Sequence, residues 1–178
     1  MSNSTGIGPQ FHPDRLLFCE VAQTLVAEVR DESSEFKVYR LFTRTLADSA
    51  YTQIGQPGAD IHFRSCIVAR DRPIGYFMIW KSRSTRFHFV GEDWISIARL
   101  NLSDLTYSEI FSSKSVIVPS GYRKVWPVEL ISLSGREDVI YCNAAFQKAD
   151  EAVEYWLCSL NLSDYTLDRL SPLEGIWL

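Results

Sequence analysis

Asp60, His62 and Arg64 occupy alternate positions in the stretch ADIHFRSC, which runs from Ala59 to Cys66. In an extended chain alternate residues share a face, so these three form one polar row, with Cys66 next along it. An imidazole beside a guanidinium can hold an anion, and the imidazole can also move a proton near neutral pH. A second polar group, Tyr122, Arg123 and Lys124, precedes VWPVELISL, which carries Glu129 inside it. Asp14 and Arg15 precede LLFCEV in the same way. The ligand-binding candidates are therefore Asp60, His62, Arg64, Tyr122 and Arg123. In a catalytic site, His62, Arg64 and Glu129 would carry the work. The plainer expectation is that these groups hydrogen-bond to one another and to water.

Other chemistries find little footing. Cys19, Cys66, Cys142 and Cys158 follow no zinc-ligand spacing, and no His-x-His or Cys-x-x-Cys pair occurs. There is no Gly-rich phosphate loop. Neither a metal nor a cofactor is expected. The formal charge of −4 argues against nucleic acid as the partner, since its binders carry a basic stripe. The densest basic stretch, KSRSTRFH at Lys81 to His88, reads as a solvated hairpin tip, with the two tryptophans that flank its loop, Trp80 and Trp94, able to form an exposed pair. No apolar run approaches the roughly 18 residues of a membrane span, and the N-terminus lacks the pattern of a leader. A cytoplasmic protein with reduced cysteines is the expectation.

The elements that must position these residues are strands. Apolar residues recur at spacing two, or in short β-branched and aromatic runs bounded by Gly, Pro, Ser and Asp, in TLVAEV, IHFRSCIVA, IGYFMIW, WISIARLNL, VWPVELISL, DVIYCNA and YWLCSLNL. The best helix candidate, NAAFQKADEAVEYWL, has alternating flanks, so Gln147 to Ala152 is expected to be a long hairpin loop. The chain is all-β.

It also repeats itself. RLNLSDLTYSEI at Arg99 to Ile110 returns as SLNLSDYTLDRL at Ser159 to Leu170. Aligned on Asp104 and Asp164, the likeness extends backward through two further strands. A weaker copy aligns on Asp48, and the copies lie roughly sixty residues apart. The unit is four strands, repeated over residues 11–56, 57–116 and 117–178 of a single domain. Asn-Leu-Ser-Asp falls where the third strand turns into the fourth, a place where Asp and Ser side chains bond to nearby amides.

A repeated four-stranded antiparallel unit resembles a blade of a β-propeller. In ELISLSGREDVIYCNAAFQ followed by YWLCSLNLSDYTLDRLSP, the third unit is similar to blades of the TolB-like six-bladed propellers. Ser134-Gly135-Arg136-Glu137-Asp138 stands where that family has Pro-Asp-Gly. The resemblance implies three blades, half a propeller, with LLFCEV, IHFRSCIVA and VWPVELISL as inner strands along a central channel. A β-sandwich or barrel is the alternative that alternation alone allows.

Three blades leave two sheet faces bare, each roughly several hundred Å² of apolar surface. Covering both contributes on the order of tens of kcal/mol before ordering costs. A homodimer closing a ring of six blades is therefore expected, with Ile176 to Leu178 starting a strand that the second copy continues; a partner protein supplying the missing blades, or a larger propeller of which this is a piece, are the alternatives. The function that follows is a non-catalytic binding or scaffold protein, offering a channel mouth or rim to a protein partner or a small polar ligand. An enzyme acting on a small anionic or polar molecule at the dimer axis is the alternative.

Overall fold

The computed structural model describes residues 13–31, 38–54, 61–81, 94–135 and 138–173, with the backbone alone at 31, 38–39, 61–64 and 81. Asp60, the tail at 174–178 and the loop at 82–93 lie outside them.

Sheet I contains β1 (Arg15–Cys19), β2 (Thr24–Asp31), β3 (Val38–Thr45) and β4 (Thr52–Ile54). Sheet II contains β5 (Ile61–Val68), β6 (Ile74–Lys81), β7 (Trp94–Asn101) and β8 (Tyr107–Ser112). Sheet III contains β9 (Tyr122–Leu133), β10 (Val139–Lys148), β11 (Val153–Asn161) and β12 (Leu167–Pro172). Within each sheet every pairing is antiparallel and joins strands consecutive in the chain. Sheets I and II touch through one bridging pair, Tyr39 with Phe63, which makes their ladders continuous. Among the described residues the single helical piece is a 3-10 turn at Ser113–Ser115.

Two cores lie between three layers, which separates this architecture from a two-sheet sandwich. Between sheets I and II pack Cys19, Val26, Leu41 and Ile54 from one side and Cys66, Phe77, Ile79, Ala98 and Leu100 from the other. Between II and III, Tyr76, Met78, Ile95, Ile97 and Phe111 meet Val125, Leu130, Ile140, Cys142, Ala144 and Phe146. Sheet II is thus buried on both faces. This explains why β6, IGYFMIWK, is apolar throughout instead of alternating: Phe77 and Ile79 serve one core, Tyr76 and Met78 the other.

The repeated phrase folds the same way twice. The Asn101 and Asn161 side chains accept from the amides of Ser103 and Ser163. Asp104 Oδ1 accepts from the amide and hydroxyl of Thr106 at 2.9 and 2.6 Å, and Asp164 Oδ1 does so from Thr166 at 3.0 and 2.7 Å. Leu105 and Tyr165 both take left-handed backbone, with φ of 59° and 60°. The likeness continues into the next strand. Pairing skips Ile110 in β8 and Leu170 in β12, so each repeat carries a bulge six residues after its aspartate.

The hairpin expected to be long is short. Gln147 and Lys148 remain paired in β10, and only 149–152 make the turn. The Lys148 amide donates to Ala152 O at 2.8 Å, and Glu151 supplies the left-handed residue at φ 68°. With one residue turning the chain this tightly, the strands run on to the tip.

Candidate functional site

β5 and β9 run side by side, and a bulge in β5 joins them. Pairing with β6 jumps from Arg64–Met78 to Cys66–Phe77, leaving Ser65 unpaired at φ 51°. The released Ser65 amide donates to Glu28 Oε1 of β2 at 3.2 Å. Its hydroxyl bonds to the amide and carbonyl of Leu130 in β9. One buried residue thereby links all three sheets.

The same bulge corrects the polar row read from the sequence. Arg64 lies opposite Met78, of the core shared with sheet III, whereas Cys66 lies opposite Phe77, of the core shared with sheet I. Cys66 is therefore not on the face of Arg64. Burial, and then the Glu28 charge, push its thiol well above the ordinary range, as burial does for Cys142, and Cys158 is pushed up to about 12. The four cysteines are buried and unbridged, so these thiols are packing groups.

The other candidates scatter. His62 pairs with Trp80 and Arg64 with Met78, register positions of the face that sheet II turns toward sheet III. Glu129 accepts from Asn143 Nδ2 at 3.2 Å on the far side of sheet III, so the three catalytic candidates do not share a face. Arg123 is exposed and ion-paired with Glu151 of the nearby hairpin. Trp80 packs at the edge of the second core, while Trp94 lies under the Lys114 ammonium at 3.7 Å. Register sets them on opposite faces, so they form no pair.

Tyr122 belongs to a different cluster, closed on itself. Its hydroxyl donates to Glu154 Oε2 at 2.7 Å and accepts from Arg169 Nη1 at 2.8 Å. The Arg169 guanidinium stands 4.8 Å from the Trp156 ring centroid, 5.4 Å from Tyr122 and 5.7 Å from Phe146. Glu154 also pairs with Lys148. The bonds from Lys148 and then Tyr122 hold its carboxyl down at about 2. Its polar atoms satisfy one another, and the cluster fastens β9, β10, β11 and β12 together.

Among the described residues, a space that can receive a ligand lies beyond the Ser65–Leu130 link, where β5 and β9 run on past β1. A cleft of about 630 Å³ is lined by Arg15 to Phe18, Ile67 to Arg72 and Ile131 to Gly135. Tyr122 and Arg123 do not line it, because they precede Leu130 in β9 and the cleft follows it. Among the described residues its cations are Arg15, Arg70 and Arg72 and its acid is Asp71. The turn carrying Arg72 is fixed from below: the Cys19 thiol donates to Arg72 O at 3.3 Å, and the Ala69 amide to Ile74 O at 2.8 Å. Leu16, Phe18 and Ile131 are exposed at its edge. The run Arg-Asp-Arg at Arg70 to Arg72 was the available signal, but attention to strands passes over a turn.

The chain matches no protein-family model and no curated protein.

Proposed function

We propose that the chain is a non-catalytic binding protein built as half of a β-propeller, whose second half is another copy of itself. The observation that carries this reading is the asymmetry of burial. Sheet II is covered on both faces, while sheets I and III each enter one core. The outward face of sheet I bears Leu16 at 50% and Phe18 at 41% exposure and half-buried Leu25, at the margin of Ala27 and Phe42, which the protomer itself buries. That of sheet III bears half-buried Tyr141, Tyr155 and Leu157. A two-fold axis would set the flank of sheet I in one protomer against the flank of sheet III in its partner, twice over. The likeness of the third unit to TolB-like blades supports the same geometry. Three inner strands then become six, and the cleft beside β1, β5 and β9 opens onto a common channel, where partner or ligand binds.

Static light scattering tests the proposal. The expected mass is twice the 20.4 kDa protomer. A folded species of one protomer at micromolar concentration overturns it.

A further inference from the structure

We infer that the cleft takes an amphipathic organic anion, a carboxylate head on an apolar body; this rests on the reading of the chain as a binding protein whose ligand sits between the inner strands. The volume of about 630 Å³ falls within the size of small-molecule sites. Its charge runs against that of the molecule. The whole chain carries −4, yet among the described residues the lining sets three arginines against Asp71. Asp71 is mostly in solvent, with its side chain 80% exposed, and meets Arg72 Nε at the long distance of 3.5 Å. The Arg72 side chain is only 25% exposed, so its guanidinium is held at the wall. Guanidinium groups hold carboxylates through paired hydrogen bonds, which lysines in the same place would not do.

The remaining wall is apolar. Leu17, Val68 and Leu133 are half-buried, and Ile131 is 41% exposed. A small polar anion would leave this wall wet. A neutral apolar molecule would strip water from the arginines and return nothing. An anion with a hydrocarbon body satisfies both parts.

The test is calorimetric titration of the full chain with octanoate, with acetate and octylamine as controls. Octanoate is expected to bind, acetate at least about tenfold more weakly, and octylamine without measurable heat. The double variant Arg70→Gln/Arg72→Gln should weaken octanoate by about tenfold or more while its mass and melting curve stay unchanged. Should that variant fold poorly, Arg70→Gln alone, at an exposed position, should still weaken octanoate severalfold. Absence of octanoate binding, equal binding of octylamine, or indifference to both variants overturns the inference. Light scattering on the same samples separates the two readings. A dimer that ignores octanoate removes the ligand class only, and a monomer that binds it removes the six-bladed ring only.

Discussion

The Ser65 hydroxyl bridges both backbone groups of Leu130, accepting from its amide at 2.8 Å and donating to its carbonyl at 3.2 Å. The two residues lie in different sheets, and the bond is buried. With the Ser65 amide on Glu28, the link makes the angle between neighbouring sheets a property of specific atoms as well as of side-chain packing. Ser65 holds left-handed backbone to do so, at a cost of about 1 kcal/mol for an L residue.

Ser65→Ala keeps that strained backbone and removes the acceptor of a buried amide. A loss of about 1–3 kcal/mol in urea unfolding is expected. Ser65→Gly also removes the hydroxyl but relaxes the backbone, so it should fall between Ser65→Ala and the parent. An alanine variant as stable as the parent would show that the bridge contributes nothing.

Much of the fold was legible because its signals are local. Alternation marks the strands, and the Asn-Leu-Ser-Asp turn repeats with its hydrogen bonds intact. The continuous apolar run of β6 was a visible sign of a sheet covered on both faces. The bulge at Ser65 was not legible. Nothing in Phe-Arg-Ser-Cys distinguishes a paired serine from an unpaired one, since the choice is made by Glu28 and Leu130, far away in sequence. That single unpaired residue moved Cys66 to the other face and took it out of the polar row. The cleft escaped for a related reason, as it arises where three strands distant in sequence come together.

Asp104 and Asp164 each accept two bonds from the threonine two residues on, the hydroxyl bond foremost, and both carboxyls sit below the usual aspartate range as a result. Asp104→Ala and Asp164→Ala should each lower the urea midpoint, whereas Asp→Asn, which keeps an acceptor oxygen, should lower it less. The two turns are far apart in the chain and share no partner, so the double variant should show the sum of the single effects. Because the folded carboxyls are the more acidic, their contribution is present above the ordinary aspartate range and fades as pH falls below it. Asparagine variants as damaging as alanine would place the effect elsewhere.

Glu154 gives a second acid-sensitive term. Held by Lys148, Tyr122 and Trp156, its carboxyl titrates at about 2 in the folded chain, below its unfolded range. Its stabilisation is complete at neutral pH and is lost as pH falls from about 4.5 to about 2. Lys148 is the mirror case. Its ammonium is shifted upward by Glu154, so that contribution persists at neutral pH and is lost when pH rises through the folded value. Melting temperature measured against pH should therefore drop on the acid side in the parent and drop less in Glu154→Gln. Parallel curves for the two proteins would sink this account.

Phe18 is the residue on which the dimer can be tested without disturbing either core. It lies on the outward face of sheet I, 41% exposed, opposite Leu25 in the ladder. Alone in the protomer, an aspartate there would remain in water and cost little. Pressed against Tyr141, Tyr155 and Leu157 of a second copy, the same carboxylate would lose its hydration with no partner to replace it. Phe18→Asp should then raise the dissociation constant by about a hundredfold or more, giving single protomers at micromolar concentration with an unchanged circular dichroism spectrum. Ile117 is a matched control: it is 67% exposed and lies in the connection between β8 and β9, outside the strands of sheets I and III. Ile117→Asp should leave the mass at two protomers. If both variants dissociate alike, the loss reflects general surface chemistry; if neither does, the flanks of sheets I and III do not meet.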